Sequence, residues 1–148
     1  MTSVDQLTTR FRDRGLRVTP QRQVIFRLLQ GNASHPTVES LFESARTEMP
    51  TISLKTVYQT VHDLESMGEV ALLDLGTGSV RVDPNVEKPH HHLICVRCGK
   101  VRDVMVDVGS ITLPPSSCRG FAVRDVEVQF RGTCDDCDAQ PSITMTTI

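Results

Sequence analysis

The chain has 148 residues, 39% of them hydrophobic, and a formal net charge of −2. That is enough for one ordinary domain or two small ones sharing a core. Its apolar runs are a few residues long, far short of the ~20 that span a bilayer. The opening MTSVDQLTTR has no apolar region of a secretory signal, so the expected location is the cytoplasm, with no membrane partner.

Charge is unevenly spread. Arg10, Arg12, Arg14, Arg17, Arg22 and Arg27 face only Asp5 and Asp13 within the first thirty residues. A local basic zone of this kind can serve nucleic acid even in a slightly acidic chain, although charge clusters are also common solvated faces.

In chain order, residues 3–14 carry Val4, Leu7 and Phe11 at helical spacing. In RVTPQRQVIFRLLQGN, Thr19 can cap a second helix, Pro20 suits its first position, and Gly31-Asn32 ends it. Its apolar face is Val24, Ile25, Leu28 and Leu29. HPTVESLFESARTEMP predicts a third helix capped by Thr37, with Val38, Leu41, Phe42, Ala45 and Met49 on one stripe. After a short turn, SLKTVYQTVHDLESMG predicts a fourth, capped by Ser53, turning Val57, Val61 and Leu64 inward and stopped by Gly68. EVALLDL and SVRVD then read as two strands around the turn GTGS. Helices joined by a tight turn and followed by a hairpin outline a winged helix.

VDPNVEKP, residues 82–89, is rich in Pro and Asn and divides the chain. Beyond it HHLICV, KVRDVMV and FAVRDVEVQFRG have a period-2 component and read as strands. Pro114-Pro115 forbids a long helix between the last two. The predicted fold class is α+β: a winged helix-turn-helix domain over 1–82, a linker over 83–89, a small α/β domain over 90–138, and a mobile tail over 139–148.

Five cysteines in a cytoplasmic chain are expected to stay reduced. Four of them form two pairs, Cys95-x2-Cys98 and Cys134-x2-Cys137. Each two-residue gap lets both thiolates turn toward one ion, and two such pairs complete a closed tetrahedral zinc site. A small domain with little core would draw folding energy from it. The surroundings lack the βαβ pattern of a redox CxxC, and Cys118 reads as a spare thiol.

The histidines leave two readings open. On a strand, His90 and His92 share one face and His91 takes the other. Asp103 on the next strand can approach that face, Asp83 lies in the linker, and His35 precedes Pro36 at the start of the third helix. These five could form a mixed imidazole–carboxylate site suited to Fe(II) or Mn(II). Alternatively, the histidine run is an exposed polar strand edge.

RVTPQR, HPT, SLKTVYQTV, HHHLICVRCGKVRDV and GTCDDC, in that order and spacing, resemble the ferric-uptake-regulator family from about residue 10 to 137. The resemblance implies a homodimer that binds double-stranded operator DNA, with the C-terminal domain dimerising and a regulatory metal between the domains. It is strongest to the peroxide-sensing branch, whose three-His, two-Asp regulatory site falls here on His35, Asp83, His90, His92 and Asp103. Asp103, where iron sensors usually draw a Glu from another segment, favours that branch. The chain has no histidine in 93–148, where other sensors commonly find a further ligand. The Pro114-Pro115 segment also departs from relatives that carry a helix there.

The implied activity is metal-dependent repression relieved when Fe(II) and peroxide oxidise His35 or His90. No substrate is implied beyond metal ions and peroxide. Lys55, Tyr58, Gln59 and His62 share the outer face of the fourth helix, the recognition helix. The resemblance supports Tyr58 as a base contact, while Lys55 and Arg22 read as phosphate contacts and His62 is equally at home as a solvated residue. The alternatives are an iron-, manganese- or zinc-responsive repressor and, from another class, a metal or redox enzyme. The enzyme would leave the winged-helix half without a purpose.

Overall fold

The computed structural model describes residues 1–138, so the expected mobile tail over 139–148 lies outside the described residues. The described chain divides after Pro89 into two units, Met1–Pro89 and one beginning at His90.

In the first unit, α1 (Val4–Asp13), α2 (Pro20–Leu29), α3 (Val38–Glu48) and α4 (Leu54–Ser66) precede β1 (Ala71–Asp74) and β2 (Val80–Asp83). Each helix begins where a side-chain oxygen can satisfy an orphan backbone N–H. Ser3, Thr19, Thr37 and Ser53 accept from the N–H of Gln6, Arg22, Ser40 and Thr56. At α1 the Gln6 side chain also accepts from the Ser3 N–H, a reciprocal cap. The helices bury one stripe each: Leu7 and Phe11; Val24, Ile25, Phe26 and Leu29; Val38, Leu41 and Ala45; Val57, Val61 and Leu64. Phe11 and Phe26 meet edge to face, with centroids 4.9 Å apart. Phe26, absent from the apolar face read in the sequence, is fully buried, so α2 presents a broader stripe than its spacing suggests. The antiparallel hairpin pairs Ala71 with Asp83 and Asp74 with Val80, and Val82 closes the core.

The second unit holds β3 (His91–Cys95), β4 (Val101–Val104) and β5 (Gln129–Gly132) in the order β4-β3-β5. β3 pairs antiparallel with β4, His92 opposite Asp103, and parallel with β5, His92 opposite Gln129. FAVRDVEVQFRG reads as one long strand, yet only its end, from Gln129, joins the ladder. Phe121 is 78% exposed, and Val123 and Val126 are exposed as well. Alternation marks a half-buried strand but does not say what covers it, and residues 121–127 are exposed among the described residues.

Among the described helices, none is long and apolar enough to cross a membrane.

Candidate metal centres and nucleic-acid interface

The first centre is a cluster of sulfurs. One ligand atom from each of Cys95, Cys98, Cys134 and Cys137 lies within 4.8 Å of the others. Cys98 Sγ and Cys134 Sγ stand 3.6 Å apart, close to the ~3.8 Å edge of a tetrahedron with Zn–S bonds of ~2.3 Å. Local backbone geometry makes this possible. After Cys98 the chain turns at Gly99, whose φ of +73° an L side chain rarely adopts. The Gly99 N–H donates to the Cys95 carbonyl at 2.9 Å, and Cys137 N–H to the Cys134 carbonyl at 2.9 Å. The two knuckles are tied together by Arg97 donating to the Cys137 carbonyl at 2.7 Å and by Lys100 to Asp136 at 2.7 Å.

The thiols are electrostatically unequal. Backbone N–H groups, that of Cys98 foremost, bring Cys95 down to about 6. Hydrogen bonds that the Cys137 thiol donates to the Cys98 and Cys134 sulfurs push it up to about 12, and burial raises Cys134. A divalent ion lets all four sulfurs be thiolates at once. The donor set fits zinc, and Cys118 is not part of it.

The residues expected for a regulatory metal fall in both units. In the first, His35 is fully buried and adopts φ +50° immediately before Pro36. A left-handed non-glycine residue is uncommon and marks a position fixed by its surroundings. Arg81 donates to the His35 carbonyl at 3.3 Å, and the Val82 N–H donates to the Pro36 carbonyl at 2.8 Å. The His35 ring places Nδ1 3.1 Å from the Ala33 carbonyl, so Nδ1 donates a hydrogen there and Nε2 is the nitrogen available to a metal. Nε2 faces Asp83 Oδ1 at 3.6 Å. Atoms at that separation match ligands ~2.1 Å from one ion.

In the second unit, ligand atoms of His90, His92 and Asp103 lie within 4.8 Å of one another. His90 Nε2 stands 3.6 Å from Asp103 Oδ1, and the two imidazoles meet at right angles with centroids 4.8 Å apart. The ladder explains this: His92 is opposite Asp103 in register, and His90 is two residues back on the same face. His91 turns away, and its Nδ1 accepts from the Val128 N–H at 3.1 Å. Both units therefore present imidazole–carboxylate pairs whose chemistry fits a hard or borderline divalent ion.

On α4, Lys55, Tyr58, Gln59 and His62 are all exposed. Tyr58, 48% exposed, donates through its hydroxyl to Glu39 Oε1 of α3 at 2.5 Å. That bond raises the Tyr58 pKa and lowers that of Glu39. Gln59 donates to Asp63 Oδ1 at 3.1 Å, and His62 faces Glu65 at 3.7 Å. Arg22 is only 15% exposed: it pairs with Asp63 at 2.7 Å and lies over the Phe11 ring at 5.3 Å. It braces α2 against α4 and offers a phosphate less than Lys55 does. Arg17, Thr19, Arg22, Lys55 and Gln59 line one shallow open groove. Glu39 and Asp63 did not appear among the sequence-derived candidates, since partners 19 and 41 residues away leave no local signal.

Comparison with known proteins gives one family. The sequence model of the ferric uptake regulator family matches residues 13–131. The chain is 32% identical over 127 residues to a peroxide-responsive repressor PerR of Staphylococcus aureus (strain Mu50), covering 85% of each protein. It resembles the solved structure of a zinc-bound manganese uptake regulator, with 30% identity, a TM-score of 0.71, and coverage of 90% of this chain and 99% of that one. The ferric uptake regulator Fur of Helicobacter pylori shares the fold at 20% identity and a TM-score of 0.71, over 94% of this chain and 93% of that one.

Proposed function

From the premise that the chain belongs to the ferric uptake regulator family of metal-responsive transcriptional regulators, we propose that it is a peroxide-sensing repressor. In this reading it acts in the cytoplasm as a homodimer on double-stranded operator DNA. Residues 1–82 bind DNA, 83–89 link, and 90–138 bind metal and dimerise. The exposed Phe121, Val123 and Phe130 would be covered by the second copy.

Zinc, held by Cys95, Cys98, Cys134 and Cys137, is the structural ion. Fe(II) or Mn(II) is the regulatory one, held by His35 and Asp83 from the first unit and His90, His92 and Asp103 from the second. The observation that carries the reading is the donor set itself: only nitrogen and oxygen ligands, with aspartates facing His35 and His90 at 3.6 Å. Sharing one ion, these residues fix the angle between the units, and so the spacing of the two recognition helices on DNA. Tyr58 reads base edges, Lys55 holds phosphate, and Gln59 and His62 flank them.

Held by these residues, Fe(II) would supply a redox centre at which hydrogen peroxide can be reduced beside its ligands. One peroxide oxygen would bond to a ring carbon of His35 or His90, the imidazole giving up two electrons overall and the other oxygen leaving as water, and the oxidised ring would be a weaker donor. The two sets of ligands then cease to hold the units together, and the dimer leaves its operator. Mn(II) offers no comparable reductant, so the Mn(II) form stays bound.

A second reading, a repressor of metal-uptake genes responding to iron, manganese or zinc, is favoured by the likeness to the manganese uptake regulator. One experiment separates them. An operator is selected from random duplexes with the Mn(II)-loaded protein, and binding is measured with Fe(II) or Mn(II) before and after peroxide. Peptides carrying His35 and His90 are then weighed. Loss of binding with one added oxygen, in the Fe(II) sample alone, is expected; unmodified peptides and unchanged binding would leave the metal-uptake reading.

A further inference from the structure

Glu127 belongs to none of the ligand sets above, yet it stands against one of them. Its Oε1 lies 3.6 Å from Nδ1 of His92. The His92 side chain is 4% exposed and that of Glu127 54%, so the carboxylate closes the outer side of a buried imidazole. The approach is built rather than incidental. β5 runs parallel to β3 with Gln129 opposite His92, and the His92 N–H donates to the Val128 carbonyl at 3.3 Å. Gln129 donates through Nε2 to Glu127 Oε1 at 3.4 Å, and Arg131 donates to Gln129 Oε1 at 2.9 Å. Residues 127, 129 and 131 thus form a relay along one face, running from a guanidinium to the carboxylate at His92.

We propose that Glu127 is a positioning residue for the regulatory metal, fixing the tautomer and ring orientation of His92; this rests on the metal site proposed above. A hydrogen on Nδ1 would face Glu127 and leave the His92 lone pair on Nε2, where it could hold the ion. The nearby negative charge makes that nitrogen a stronger donor. With Nδ1 of His92 facing Glu127, an ion held through Nε2 would lie on the other side of the ring, so the carboxylate backs the ligand rather than joining it.

The test uses full-length, zinc-loaded protein, with Mn(II) alone as the affinity probe and Co(II) as the spectroscopic one. Glu127→Ala is expected to weaken Mn(II) binding ~10–100-fold, the usual cost of losing a carboxylate behind a metal-bound histidine. Glu127→Gln, whose amide oxygen can still accept from Nδ1–H, should fall between Ala and wild type. Zinc content and the Co(II) band pattern should not change, since fold and ligand count are preserved. Mn(II) affinities equal to wild type in both variants would overturn the role. So would an altered Co(II) band pattern in Glu127→Ala, which would make Glu127 a ligand. His90→Ala serves as the control. If it retains wild-type Mn(II) affinity, the metal site itself fails, and Glu127 with it; if it loses binding while Glu127→Ala does not, only the positioning role fails.

Discussion

The two units are stabilised by different physics. The first buries side chains from all four helices and the hairpin in one apolar cluster. Among the described residues of the second, the buried apolar side chains are Ile94, Cys95 and Val101. Burying one large aliphatic or aromatic side chain contributes ~1.5–3 kcal/mol, so the first unit can meet the entropy of folding from packing alone. The second has little apolar burial of its own, and its four converging sulfurs offer a site where an ion would compensate. A hydrophobic core makes a rigid body, whereas in the reading proposed above a unit held by ions would have a structure that depends on what is bound to it. That suits a sensor.

The largest effect should come from removing zinc. A structural zinc contributes ~10–16 kcal/mol of folding free energy in small metal-dependent domains. Chelation or Cys137→Ser is therefore expected to collapse the amide NMR signals of residues 90–138, to leave those of α1–α4 in place, and to give monomers in sedimentation. A zinc-free protein with an intact second-unit spectrum would erase the contrast between the units. The converse perturbation is Phe26→Ala, which removes a fully buried ring packed on Phe11 and should cost ~3–5 kcal/mol. Thermal unfolding of the helices should shift down sharply while zinc per chain stays constant; loss of zinc in this variant would show that the units fold as one.

Smaller changes probe the exposed face of α4. Ser53→Ala removes the cap of α4 and should destabilise the first unit by ~1 kcal/mol in denaturant titration. The smallest effect is a titration. Tyr58 is the only tyrosine and there is no tryptophan, so tyrosinate absorbance reports it alone. Its pKa is raised by the bond to Glu39, so that contribution is present below the ordinary tyrosine value and lost as pH rises through the folded one. The Glu39 pKa is lowered, so its share is present above the ordinary glutamate value and lost as pH falls through the folded one. Glu39→Gln should return the Tyr58 inflection toward the ordinary value; an unmoved inflection would remove Glu39 from the interface.

Local chemistry wrote much of this protein legibly. Thr19-Pro20, Thr37 and Ser53 start helices because a hydroxyl can satisfy a nearby N–H, and each helix begins there. The CxxC spacing encodes a metal knuckle because two residues suffice to turn one thiolate beside another, and His90 and His92 share a face because strands alternate. Tertiary structure decided what depends on distant partners: Arg22 is drawn under α4 by Asp63, Tyr58 is held by Glu39, and His35 is locked at positive φ beneath Arg81. The segment from Phe121 to Glu127 alternates like a strand, but a ladder needs a second row of backbone groups, and sequence pattern carries no record of where that row comes from. Glu127 was hidden for the same reason. Its place behind His92 follows from the parallel register of β5 on β3, a pairing across 37 residues that only the folded sheet determines.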